Sequence, residues 1–226
     1  MRRLFDLTKP HFSAWLKLHD IDTCWDNFMH NGRRGPHLTR GSPLYYTSLC
    51  GFHDLAAHLI DERPHHLNAQ VGQKLSPLVA ALCNKHFHTA ELLHQRGANV
   101  GIRGMDRRTI LHAAAADGAV EIAQWLLAHG ADATSRDESR GTPLHLAAKN
   151  GRVELVRMLI RHDIVINDKN MHNRTPLHMA SEHGHFEVVR LLLQRRADIA
   201  IHDLRRHTPL HLASSWVSVK TIYLLL

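Results

Sequence analysis

Thr142-Pro143-Leu144-His145-Leu146-Ala147 is the stretch from which the rest of the chain can be read. It returns as Thr175-Pro176-Leu177-His178-Met179-Ala180 and again as Thr208-Pro209-Leu210-His211-Leu212-Ala213. Looser copies stand at Thr109-Ile110-Leu111-His112-Ala113-Ala114, Ser76-Pro77-Leu78 and Ser42-Pro43-Leu44, so the copies start at 42, 76, 109, 142, 175 and 208. Steps of 33 or 34 residues mark a stack of one small unit rather than a globule with a single centre.

The local chemistry of one copy predicts its elements. Thr142 suits a helix N-cap, and Pro143 suits the first helical position, where a missing N–H costs nothing. That helix is expected to run to about Asn150, and Gly151 then allows a tight turn. Val153, Val156, Leu159 and Ile160 recur at helical spacing and mark a second helix. The same order follows Gly118 (Val120, Ile122, Ala123, Leu126, Leu127) and Gly184 (Phe186, Val188, Val189, Leu191, Leu192, Leu193). Gly130 ends the helix that follows Gly118, and a polar connector of about ten residues leads to the next threonine. One such unit cannot bury its own apolar face, whereas stacked neighbours can.

These residues, with Glu187-Val188-Val189 and Gly130-Ala131-Asp132, resemble the ankyrin repeat over residues 42 to 226. The resemblance implies an all-α solenoid of about six helix-turn-helix units, with hairpin connectors and a concave binding face. The units fall at about 41–74, 75–107, 108–140, 141–173, 174–206 and an incomplete 207–226. Residues 1–40 do not match the repeat and read as an N-terminal helical cap and linker, with Phe12, Trp15 and Leu16 on one helix face. The last helix stops on Tyr223-Leu224-Leu225-Leu226, which leads to the expectation that more protein follows. The segments Pro10-His11-Phe12-Ser13-Ala14-Trp15, Tyr45-Tyr46 and Cys50-Gly51-Phe52-His53 are similar to the ankyrin segments of large fungal NACHT-ankyrin proteins. That resemblance implies the sensing or docking arm of a signalling protein.

The family places glycine at the hairpin tip, two residues before the threonine. Here those positions hold Lys74, Arg107, Arg140, Asn173 and Arg206. Side chains resist the positive φ that glycine accepts, so a different turn is expected at these tips, together with a column of cations along one edge. Lys85 and Val217 replace the glycine between the helices, and Asp163 and Arg196 stand where Gly97 and Gly130 end second helices.

Composition sets further bounds. The net charge is +7, but no run of five like charges occurs, which reads as a solvated basic surface. Three scattered cysteines signal neither a disulfide framework nor a zinc site, and fit reduced thiols inside a cell, cytoplasmic rather than nuclear. Asp6 and Lys9 break the apolar start that would suit a signal peptide, and no apolar stretch is long enough for a membrane span.

Histidine is abundant, at 22 residues. The resemblance implies that His112, His145, His178 and His211 tie neighbouring connectors together. The pairs His86/His88 and His183/His185 lack an acidic or cysteine partner to complete a metal site. Exposed imidazoles gaining charge below pH about 6.5 are expected to loosen a basic stack. No nucleophile elbow, zinc-protease motif, phosphate loop or dinucleotide-binding glycine pattern is present, so neither catalytic residues nor a cofactor is expected. Ser135, His145 and Asp137 fall on or beside connectors with no pocket implied.

The reading is a non-catalytic, monomeric scaffold for a protein partner with an acidic surface. Its candidate contacts are Arg107, Arg108, Arg140, Arg174, Arg205 and Arg206 at the hairpins. Lys149, Asn150, Glu182 and His183 at the first helices, and Trp216 near an inter-helix turn, complete the set. A basic nucleic-acid-binding or anionic-surface-binding module is the alternative, resting on charge alone.

Overall fold

A hydroxyl side chain followed by proline opens the first helix of most repeats. The structure, a computed structural model, describes residues 42–70, 76–104, 106–162, 164–215 and 219–226. The expected cap at 1–40, with Lys74, Asp163, Trp216 and Val217, lies outside the described residues. The chain divides into two units, Met1–Asn99 and Val100–Leu226. The described residues form α-helices and short turns, with no β-strand among them.

The first unit holds α1 (Pro43–Leu49), α2 (His53–Glu62), a single 3-10 turn at Pro64–His66, α3 (Pro77–Cys83) and α4 (Phe87–Gln95). The Ser42 and Ser76 hydroxyls accept from the amides of Tyr45 and Val79, at 3.2 and 3.3 Å, and so cap α1 and α3. Helix α1 packs on α3 and α2 on α4, burying Leu44, Leu78, Leu82 and Leu93.

The second unit repeats the pair four times. Its first helices are α5 (Ile110–Asp117), α7 (Pro143–Lys149), α9 (Pro176–Glu182) and α11 (Pro209–Ser215), each packed on the next. Its second helices are α6 (Val120–Ala128), α8 (Val153–Leu159), α10 (Phe186–Gln194) and α12 (Val219–Leu225), again packed in series. Ala114, Ala147, Ala180 and Ala213 are fully buried at one repeat position, where a small side chain lets first helices approach. Leu111, Leu144, Leu177, Leu126, Leu159 and Leu192 fill the layer between helices. Each such leucine removed from water contributes about 2 kcal/mol.

The turn between α7 and α8 shows why glycine stands there. Gly151 has φ 67°, and a Cβ on it would lie 2.5 Å from Nδ1 of His185 in the following repeat. His185 covers that turn and its Nε2 lies 2.9 Å from the Lys149 carbonyl. Arg152 does the same one repeat earlier, donating from Nε to the Ala116 carbonyl at 3.0 Å.

The hairpin tips correct one expectation. They were expected to adopt a different turn because arginine resists positive φ, yet Arg107, Arg140 and Arg206 sit at φ 59°, 59° and 64°, beside Asn173 at 57°. Lys85 and Arg196 likewise take φ 59° and 60° at the positions glycine holds elsewhere. The left-handed turn is kept because backbone bonds within and between hairpins over-determine it, against a strain of about 1–2 kcal/mol per residue.

Candidate functional site

Each connector of the second unit folds back on itself through one backbone bond. Gly104, Asp137, Asn170 and Asp203 donate their amides to the carbonyls of Arg108, Gly141, Arg174 and His207, at 2.7, 2.8, 3.0 and 2.9 Å. A second set joins each hairpin to the previous one. Glu138 donates to Asp106, Met171 to Ser139 and Leu204 to His172, at 2.8, 2.8 and 3.1 Å. The hairpins therefore form one hydrogen-bonded strip within this unit.

The repeat histidines lock the strip to the helices. The Thr109, Thr142 and Thr175 amides each donate to Nδ1 of the histidine three residues on, at 3.2 Å. Nε2 of His112, His145 and His178 then reaches the carbonyls of Gly141, Arg174 and His207, at 3.2, 3.0 and 3.2 Å. An Nδ1 that accepts and an Nε2 that faces a carbonyl fix one neutral tautomer. Burial lowers the pKa of all three rings, only partly offset by the carbonyls they meet. This is the tie between connectors that the resemblance implied.

Charged side chains add a further layer. Arg108 Nε lies 3.3 Å from Asp137, and Arg174 Nε lies 3.2 Å from Asp203. Both carboxylates are buried. Burial alone raises the Asp203 carboxyl, but the His207 and Arg205 amides and the Arg174 guanidinium outweigh it and hold its pKa below the ordinary value. Arg174 also donates from Nη1 to both oxygens of Glu182, at 3.0 and 2.8 Å. Arg136 pairs with Asp168, and Arg103 donates to the carbonyls of Arg107 and Arg136, at 3.0 and 2.8 Å.

The candidate contacts thus fall into two groups. Arg108, Arg174 and Glu182 are half-buried and engaged in ion pairs within the unit. Arg107, Arg140, Arg205 and Arg206 are exposed at the tips, and Lys149, Asn150 and His183 are exposed at the ends of α7 and α9. Trp216 lies outside the described residues. Two residues escaped the sequence reading: Met171 and Leu204, 51% and 64% exposed, four residues before Thr175 and Thr208. The signal for them was an apolar side chain four residues before the repeat threonine, on connectors that also expose Val165 and Ile199.

The geometry so described is that of a stacked helix-pair repeat with hairpin connectors. The family description "Ankyrin repeats (3 copies)" matches residues 44–137, 111–203 and 172–226. The chain belongs to the ankyrin-repeat family. A crystal structure of an ankyrin repeat domain from Acinetobacter baumannii AYE is similar, at 28% identity and a TM-score of 0.72, covering 81% of this chain and 95% of that one. No match to a curated protein was found. Ankyrin repeats are in general protein–protein interaction modules and typically not catalytic. In this ankyrin-repeat chain, no group of three or more metal-ligating side chains occurs among the described residues. No helix among them is long and apolar enough to cross a membrane.

Proposed function

We propose that this chain is a monomeric, non-catalytic scaffold that docks a protein partner through the hairpin tips, and that the docked surface is acidic. The observation that supports this reading is an imbalance of charge at the tips. Asp137, Asp168 and Asp203 are spent on Arg108, Arg136 and Arg174 inside the unit, whereas Arg107, Arg140, Arg205 and Arg206 remain exposed. Such a surface steers an acidic partner and gives binding that weakens with salt. Lys149, Asn150 and His183 extend the exposed surface toward the first helices.

The test is isothermal titration of poly-glutamate into the protein and into an Arg107→Glu, Arg140→Glu, Arg206→Glu variant whose circular dichroism matches. Salt-dependent binding that the variant loses supports the reading. Equal binding by both proteins, or none at low salt, overturns it.

As to setting, we propose an intracellular docking arm of a larger signalling protein, supported by the resemblance at Tyr45-Tyr46 and Cys50-Gly51-Phe52-His53. A phosphate-loop motif encoded in the same reading frame supports this setting, and a transcript without one overturns it.

A further inference from the structure

The strip of hairpins sets a ruler along the tips of the second unit. Chains joined by backbone hydrogen bonds lie about 4.8 Å apart, and each hairpin contributes two chains, so successive tips repeat at about 10 Å. The bonds from Glu138 to Asp106, Met171 to Ser139 and Leu204 to His172 carry this spacing through four hairpins. Two residues before each threonine, the ruler reads Arg107, Arg140, Asn173 and Arg206, three cations and one neutral amide. Four residues before the threonine, the last two tips carry the exposed apolar Met171 and Leu204.

A polyproline II segment has three residues per turn and rises 3.1 Å per residue, so one of its faces repeats every ~9.3 Å. That period matches the tip spacing. An α-helix presents a face every 5.4 Å, so only every second turn, about 10.8 Å on, returns to a tip. Against two chains of about 4.8 Å each it drifts by about 3.6 Å over three steps, where polyproline II drifts by about 0.9 Å. A β-strand, repeating a face every 6.6–6.8 Å, keeps no step with consecutive tips.

We propose that the tips recognise an acidic peptide segment in the polyproline II conformation, with carboxylates at every third residue. Carboxylates three residues apart meet Arg107 and Arg140. The next third residue is apolar and rests on Met171, beside the uncharged Asn173. The last is a carboxylate that meets Arg206, with Arg205 and Leu204 on the same tip. Glu138, exposed on the Arg140 tip, repels a carboxylate placed over it and confines that contact to the arginine side. Because the arginines are held in left-handed turns by two sets of backbone bonds, the backbone from which each side chain reaches is fixed before the peptide arrives. The inference rests on the reading that the tips bind acidic protein and adds the conformation and period of the ligand.

Two synthetic probes of one composition test it by fluorescence anisotropy. The first is Glu-Pro-Pro-Glu-Pro-Pro-Leu-Pro-Pro-Glu, and the second groups its three glutamates at one end. Three exposed charge pairs in register, against the same charges out of register, correspond to about fivefold tighter binding of the first probe. Arg140→Gly, which preserves the turn and removes one of the three pairs, is expected to lower that preference to about threefold, and Met171→Ser to lower it further. If both probes bind equally, the spacing is overturned and the acidic-partner reading stands. If neither binds at roughly 50 mM salt, both fall. A single-stranded DNA 10-mer that binds tighter than either peptide overturns the proposal in favour of nucleic acid.

Discussion

Nε2 of His145 lies 3.0 Å from the carbonyl oxygen of Arg174, while Nδ1 of the same ring faces the Thr142 amide at 3.2 Å. One buried imidazole thus satisfies a helix start in its own repeat and a connector in the next. Replacing it by alanine leaves the buried Thr142 amide without its partner, takes from the Arg174 carbonyl one of its two bonds (the Asn170 amide remains), and opens a void where the ring stood. His145→Ala is expected to cost about 2–3 kcal/mol, a fall in Tm of several degrees. His183→Ala, at an exposed position, is expected to stay within about 0.5 kcal/mol. Thermal denaturation of the two variants checks both.

The same three rings give a pH dependence with a definite sign. Burial lowers the folded pKa of His112, His145 and His178 below the ordinary 6.5, so the unfolded chain takes up protons first. Their stabilisation is complete above that value and declines as pH falls below it, by up to about 1.4 kcal/mol per pH unit per ring. Tm is therefore expected to drop between pH 7.5 and 5.5. Self-repulsion among exposed imidazoles predicts the same drop but is screened by salt, whereas the cost of charging buried rings is not. A drop that survives high salt identifies the buried rings.

Arg140 at φ 59° leads to opposite effects on stability and binding. Arg140→Gly relieves left-handed strain of about 1–2 kcal/mol and adds unfolded-state entropy of about half that, so a net gain of about 0.5–1 kcal/mol is expected in urea denaturation. The same variant loses a guanidinium and should bind poly-glutamate more weakly.

Gly151 and Gly130 separate backbone strain from crowding. Both have positive φ, at 67° and 82°, but a Cβ at Gly130 meets nothing within 4 Å while one at Gly151 strikes the His185 ring. Gly130→Ala is expected to cost about 1–2 kcal/mol, and Gly151→Ala at least about 1 kcal/mol more, through displacement of His185 from the Lys149 carbonyl. Chemical denaturation of the two single variants measures the difference.

Much of this was legible in the sequence because it is local and periodic. Thr142 and Pro143 are adjacent, and the helix start they make follows from local chemistry, whereas the part played by His145 came from the family resemblance. The tip turn was misread for the opposite reason. Propensity at Arg107 or Arg140 argues against a positive φ, and the bonds that overrule it come from a neighbouring hairpin about 32 residues away. Likewise, Arg108 meets Asp137 and Arg174 meets Asp203 across 29 positions, so the buried carboxylates that engage them are not visible from the sequence around either arginine. Met171 and Leu204 carried a signal in their composition, but only the strip of hairpins shows that they share an edge with the exposed arginines.

The reach of the repeat histidines has a consequence for how such a chain changes over generations. His112 bonds to the carbonyl just before Thr142, and His145 to the carbonyl just before Thr175, always 29 residues ahead. If residues 142–174 were excised, His112 would keep the Gly141 carbonyl and Thr175 would stand where Thr142 had stood. Each joint is addressed only to the adjoining unit, so duplication or loss of a 33-residue block leaves every remaining joint matched. The protein's length is in this sense quantised, and its lineage can lengthen or shorten the row of tips without inventing a new contact.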